Sequence, residues 1–111
     1  MKVIIKESKY KLWVENYLDN LNLKELKSSE KIIYQDSEGK TCFIYQPKFR
    51  TKMNGGWEEK YILFCSEYLE NTLRSFFNPN NLARLIVPWF ESKYGVSVEE
   101  FFYRDLSYFD Y

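Results

Sequence analysis

Three groups of residues in this sequence have the types and spacing to do chemistry. Lys48, Arg50 and Lys52 alternate with Phe49, Thr51 and Met53. On a strand, alternate side chains share a face, so the three cations stand together. Such a ribbon can grip a phosphate backbone, with Trp57 and Tyr61 nearby as stacking platforms. Asp36, Glu38 and Lys40 in DSEGK are the second group. Two carboxylates beside a lysine can hold a divalent metal and support an attacking water. The third is Glu99, Glu100, Asp105 and Asp110 in the acidic C-terminal stretch, residue types suited to acid–base work or Mg²⁺ binding.

The elements that must position these groups supply a structural reading of each. Asn54-Gly55 is the dipeptide of a two-residue type I′ loop, because both central residues need positive φ. That loop sets Lys52 against Trp57, Arg50 against Glu59 and Lys48 against Tyr61. Each cation then meets a carboxylate or an aromatic ring, an interaction of roughly 0.2–1 kcal/mol per pair. A three-residue loop would oppose Arg50 to Lys60, so the charge pattern selects the register in which the stripe is satisfied. The finger is expected to be a self-paired hairpin. DSEGK resembles the acidic-x-Lys end of restriction-type nuclease motifs. That resemblance implies a metal-dependent nuclease, but the motif belongs on a strand and here it falls on a turn. Glu99 and Glu100 diverge by about 100° on a helix and fit dipole and capping roles at its start. No glycine-rich phosphate loop exists, since Gly55-Gly56 belongs to the hairpin.

The rest of the chain divides by periodicity. KVIIK (2–6) has the pattern of a short strand, and Ser8 caps a helix along which Tyr10, Trp13, Val14, Tyr17, Leu18 and Leu21 follow three-and-four spacing. Asn22 and Glu25 form a small capping pair for one more turn. KIIYQDSEGKTCFIYQ predicts a hairpin turning at Glu38-Gly39, with Tyr34 opposite Phe43 and Ile32 opposite Tyr45. Pro47 lacks an N–H for the ladder, so the middle strand is expected to bend or bulge there. One sheet face then carries Ile32, Tyr34, Phe43, Tyr45, Phe49, Ile62 and Phe64. The other carries Ile33, Cys42, Ile44, Leu63 and Cys65, with Cys65 opposite Ile44. With both faces partly apolar, either helices cover both sides or one side is an interaction surface.

Towards the end, Ser66 caps a helix bearing Leu69, Leu73, Phe76 and Phe77 on one side, and NPNN breaks it. Asn81 caps a helix whose apolar stripe continues across Pro88, so one kinked helix is expected, ended by Gly95 in the left-handed conformation. Ser97/Glu100 as capping box and Val96/Phe101 as hydrophobic staple predict a further helix. The fold expected is α+β, one domain over 1–111: a three-stranded antiparallel meander (about 31–65) with an N-terminal helix and two to three C-terminal helices packed on it.

Composition sets outer limits. Sixteen cations balance sixteen anions, so any hold on nucleic acid or lipid must come from a local patch. Balanced charge also mildly favours self-association or a partner. Histidine is absent, which removes the usual general base at neutral pH and the commonest transition-metal ligand. Cys42 and Cys65 lack Cys-x-x-Cys spacing, no stretch approaches the ~20 apolar residues of a membrane span, and the N-terminus lacks a signal-peptide core. The expectation is a cytoplasmic protein with two reduced, buried thiols, no cofactor and no metal.

The opening MKVIIKESKY is similar to the starts of many small bacteriophage-encoded proteins. The similarity spans ten residues, and implies a small viral protein that binds a host or viral macromolecule. The leading functional expectation is a non-enzymatic protein-interaction module, a modulator of a host system in the viral setting, binding through exposed aromatics. Its residues are Trp57 and Tyr61 by the hairpin and Tyr103, Tyr108 and Tyr111 in the tail, aromatic anchors beside Asp105 and Asp110. The competing reading tucks that tail along the body. The alternative function is nucleic-acid binding by Lys48, Arg50 and Lys52 with Arg74 or Lys93, and a metal-dependent nuclease or other enzyme stands third.

Overall fold

The computed structural model describes residues 7–77 and 81–110. The chain runs α1 (Glu7–Asp19), β1 (Lys24–Lys27), β2 (Ile32–Gln35), β3 (Thr41–Met53), β4 (Gly56–Ser66), α2 (Glu67–Phe76), α3 (Ala83–Tyr94) and β5 (Glu100–Arg104), then a 3-10 turn at Ser107–Phe109. The strands form one sheet in the order β1-β2-β3-β4-β5. Neighbours β1 to β4 pair antiparallel, whereas β5 runs parallel to β4. The class is α+β as expected, but the architecture is not. The three-stranded meander is the centre of a five-stranded mixed sheet, with a further strand at each edge.

Both added strands come from stretches whose local signals point to helical turns. Asn22 adopts φ 50, the left-handed conformation that short polar side chains tolerate. An N-cap needs extended backbone, so the Asn22/Glu25 pair cannot start a turn; the chain reverses and Lys24–Lys27 pairs with β2. Its exposed lysines suit a sheet edge. At the other edge, the Glu99 N–H donates to Tyr61 O at 2.8 Å and Val98 N–H donates to Glu91 Oε2 at 2.9 Å. These bonds commit the segment to β4, and the predicted helix from Ser97 is a strand instead. A parallel pair requires a crossover connection, which α2 and α3 supply.

The other helix signals fare better. Ser66 caps α2, its Oγ accepting from the Leu69 N–H at 3.0 Å. Asn81 Oδ1 accepts from the Arg84 N–H at 3.3 Å, one residue ahead of Leu82, the backbone cap. α3 passes through Pro88 as one element and Gly95 closes it at φ 65. Ser8 lies inside the first turn of α1 rather than at its cap. The expected strand at 2–6 and most of NPNN fall outside the described residues.

Two bulges set which residues meet. Tyr34 faces Phe43 and Ile32 faces Tyr45, as expected, but Gln35 then faces Thr41, leaving Cys42 as an extra residue. In the second hairpin Arg50 faces Glu59 and Lys52 faces Trp57, also as expected. Between Gln46↔Ile62 and Phe49↔Lys60, however, Pro47 and Lys48 together oppose Tyr61, with Lys48 at φ 57. Such a bulge slips the ladder by one, and a one-residue slip turns every side chain over. Cys65 therefore faces Phe43 rather than Ile44. Leu63 and Cys65 join Tyr34, Phe43 and Tyr45, while Ile62 and Phe64 join Ile44 on the opposite side.

The helices all pack on the first of these faces. Val14 and Leu18 of α1, Leu69 and Leu73 of α2, and Ile86 and Phe90 of α3 share one core with Tyr34, Phe43, Tyr45 and Leu63. Phe90 is its hub, with ring centroids 5.1 Å from Tyr34, 5.4 Å from Phe43 and 5.9 Å from Tyr45. Burying each such side chain stabilises the fold by about 1.5–3 kcal/mol. Against the second face, among the described residues, packs a smaller cluster of Ile44, Ile62, Phe64 and Leu106, flanked by Ile33 and Phe109. Of the two arrangements that apolar faces allow, helices cover one side.

Candidate functional site

The open face carries a groove of about 540 Å³. Its floor is Ile44 of β3, Ile62 and Phe64 of β4, and Phe102 of β5. One wall is the segment 105–109, which leaves β5 and crosses the sheet towards β2. That wall is anchored at its far end. Gln35 Nε2 donates to Phe109 O at 2.7 Å, and Thr41 N–H donates to Asp110 Oδ1 at 2.7 Å. Leu106 is buried beneath it, whereas Phe102 is 43% exposed and Tyr108 90% exposed. Alternation in EFFYR explains the floor: Phe101 and Tyr103 turn into the helical core and Phe102 turns out.

The charges around the groove are unevenly matched. Glu100 pairs with Lys60 at 2.8 Å, and that hydrogen bond raises the Lys60 ammonium above its ordinary pKa. Asp105 Oδ1 accepts from the Ser107 N–H at 3.0 Å, and hydrogen bonds from Ser107, hydroxyl first, lower its carboxyl. The two cations have no such partner. Lys31 Nζ lies 4.5 Å from the Phe109 ring centroid and the Arg104 guanidinium 5.0 Å from that of Phe64. Neither has a carboxylate within 4.0 Å among the described residues. The groove thus combines an apolar floor with two ring-seated cations available to an anion.

The residues singled out from sequence do not form one site. Trp57 is 62% exposed on the β3–β4 arm, under Arg50 at 5.4 Å, and Tyr61 sits at the base of that arm. Tyr103 faces the helical layer and Tyr108 the groove, so the tail tyrosines separate onto two faces. Tyr111 lies outside the described residues. Burial raises the Tyr103 phenol strongly, and its hydroxyl is buried without a hydrogen-bond partner among the described residues.

The five cations of the nucleic-acid reading lie on three elements. Lys48, Arg50 and Lys52 are exposed on the arm with no ion pair among the described residues; Arg50 engages Trp57 although Glu59 is its partner in register. Arg74 pairs with Glu70 at 3.0 Å, and Lys93 with Asp19 at 3.2 Å.

DSEGK is a turn, as its spacing predicts. Asp36 Oδ1 accepts from the N–H groups of Glu38 at 2.9 Å and Lys40 at 3.0 Å, while Lys40 Nζ sits 4.0 Å from the Tyr68 ring centroid. The carboxylate needed for a metal is engaged by backbone. Among the described residues no group of three or more Cys, Asp or Glu is arranged to hold a metal ion. Cys42 and Cys65 are free and buried; burial pushes the Cys42 thiol up to about 12 and raises that of Cys65 well above its ordinary value.

Sequence reasoning missed Phe102, Lys31 and Arg104. The two-residue alternation in EFFYR was the available signal, masked by the capping-box pattern just before it. No protein-family model, curated protein or solved structure matches this chain. No described helix is long and apolar enough to cross a membrane.

Proposed function

We propose that this chain is a non-enzymatic protein-interaction module that receives its partner on the open face of the sheet. One observation carries the reading: a five-stranded sheet with all its helices on one side and an apolar groove on the other. A concave apolar lining with exposed aromatics and a polar rim is how binding grooves are commonly built. Phe102 and Tyr108 are the aromatic anchors of this reading, which moves the contact away from Tyr103 and into the groove. Its setting is the cytoplasm, where the free thiols of Cys42 and Cys65 stay reduced.

The test is site-specific photo-crosslinking in cell lysate, with the crosslinker at Phe102 and, in separate preparations, at Trp57 and Trp13. A discrete protein adduct from position 102 alone supports docking in the groove. Equal adducts at all three positions, or none at 102, refute it. A dimer of this chain as the adduct would identify self-association.

A second reading has its own observation, the exposed cations Lys48, Arg50 and Lys52 without ion pairs among the described residues. These support nucleic-acid binding by the arm. Phosphate contacts make affinity fall steeply with salt, whereas groove docking changes little.

A further inference from the structure

We propose that the groove takes an extended acidic segment of a partner protein, with two carboxylates on Lys31 and Arg104 and apolar side chains between them against Phe102 and Tyr108. The proposal rests on the reading of the open face as a docking surface, and names the class of segment that fits it.

The charge argument comes first. Four charged groups rim the groove. Glu100 is neutralised by Lys60, while Asp105, held by Ser107, keeps its charge. The balance left on the rim is positive, from Lys31 and Arg104, each held against an aromatic ring of the groove. A cation already seated on a ring loses less side-chain freedom when it binds, and charge-assisted hydrogen bonds to carboxylates are the strong kind. Electrostatic complementarity then selects an anionic occupant.

Geometry fixes its length. Lys31 immediately precedes β2 and Arg104 ends β5. Three inter-strand steps of about 4.8 Å separate those strands, so the two residues are based at least ~14 Å apart. Their charged ends sit over two different rings, Phe109 and Phe64, which favours a separate carboxylate for each. An extended chain rises about 3.3 Å per residue, so at least about five residues are needed to bridge them. Between the cations the floor is aliphatic and aromatic, which calls for apolar side chains in the middle of the segment. A nucleic-acid strand fits less well, because it carries a phosphate at every unit and the floor between the two cations is apolar.

The experiment uses fluorescence anisotropy with labelled octapeptides alternating Glu or Asp with Leu or Phe. Matched series carry Gln/Asn or Lys at the acidic positions, and a thymidine octanucleotide is a fourth probe. The acidic series should bind about tenfold more tightly than the amide series, and the Lys series should not bind. K31Q and R104Q should each weaken the acidic peptide by roughly fivefold, while K52Q on the arm leaves it unchanged. Both substitutions are of surface side chains, and thermal unfolding verifies that the fold persists. Amide-resolved NMR locates each bound probe.

Equal affinity for acidic and amide peptides, with shifts at Ile62 and Phe102, overturns the acidic specificity and leaves the docking face standing. Silence at Ile62 and Phe102 with every peptide removes both. Binding of the oligonucleotide alone, with shifts on the arm, overturns the proposal in favour of the arm cations.

Discussion

Trp89 Nε1 donates to Asp19 Oδ1 at 2.9 Å, and Lys93 Nζ approaches the same oxygen at 3.2 Å. A carboxylate in the last turn of α1 opposes the helix dipole, so α3 supplies what α1 cannot. The Trp89 hydrogen bond, then Lys93, hold the Asp19 carboxyl below its ordinary pKa of 3.8. A depressed carboxylate stabilises the fold above its unfolded pKa, and that contribution is lost as pH falls through the folded value. D19A should therefore cost about 1 kcal/mol near neutral pH, a figure reduced for partial exposure, and much less near about pH 2. Urea unfolding of both proteins at the two pH values checks it.

Tyr103 and Tyr108 should behave oppositely. Tyr103 packs edge-on against Phe101 at 5.0 Å beneath Arg74, with its hydroxyl buried and unpaired among the described residues. Y103A should cost about 2–4 kcal/mol, whereas Y103F should be neutral or stabilising by about 1 kcal/mol. Y108A, at an exposed site, should change stability by less than about 0.5 kcal/mol yet reduce groove binding. Thermal melts of the three variants separate core from anchor.

The bulge at Pro47-Lys48 is testable through backbone preference alone. Lys48 sits at φ 57, a conformation that costs a non-glycine residue about 1–2 kcal/mol. K48G should raise stability by up to about 1 kcal/mol, since glycine also loses more entropy on folding. Deleting Lys48 removes the extra residue yet keeps the pairs, since Gln46↔Ile62 and Phe49↔Lys60 then join through Pro47 opposite Tyr61. That variant should keep a cooperative urea transition, whereas deleting Ile44, inside the paired core, should abolish it.

Alkali should unfold the protein through its buried acids. Burial raises the phenols of Tyr17, Tyr34, Tyr45, Tyr94 and Tyr103 above 10.0, Tyr94 to about 12, and the Cys42 thiol to about 12. A group whose folded pKa is raised stabilises fully below its unfolded value and loses that contribution as pH rises through the folded one. Stability should be level up to about pH 8.5 and fall between about pH 9 and 12. Spectrophotometric phenol titration should show a late cooperative step coincident with loss of circular dichroism. Early, graded titration of all ten tyrosines would refute it.

What was legible in the sequence is what local chemistry decides. Asn54-Gly55 sets a two-residue turn, although Gly55 alone of the pair takes positive φ, at 89, so it is not the type I′ loop expected. Ser66 sets its cap and Gly95 its helix end, because each acts on atoms a few residues away. The edge strands were illegible for the opposite reason. NLKEL and SVEEF each carry a plausible helix start, and only the unpaired edges of β2 and β4 decide against it. The groove inherits that difficulty. Ile62 reaches its floor through a bulge fifteen residues upstream at Pro47, and Phe102 through a parallel pairing that only the assembled sheet provides.

The crossover from β4 to β5 also orders the events of folding. Ile62 and Glu100 are partners in register but are joined through both α2 and α3, so their loop-closure entropy must be met before pairing stabilises anything. The β2–β3 and β3–β4 hairpins close over far shorter loops and should form first. Until β5 docks, β4 is a bare edge bearing Ile62 and Phe64, open to pairing with another unfinished chain. Refolding yield should therefore depend on how soon the last strand docks.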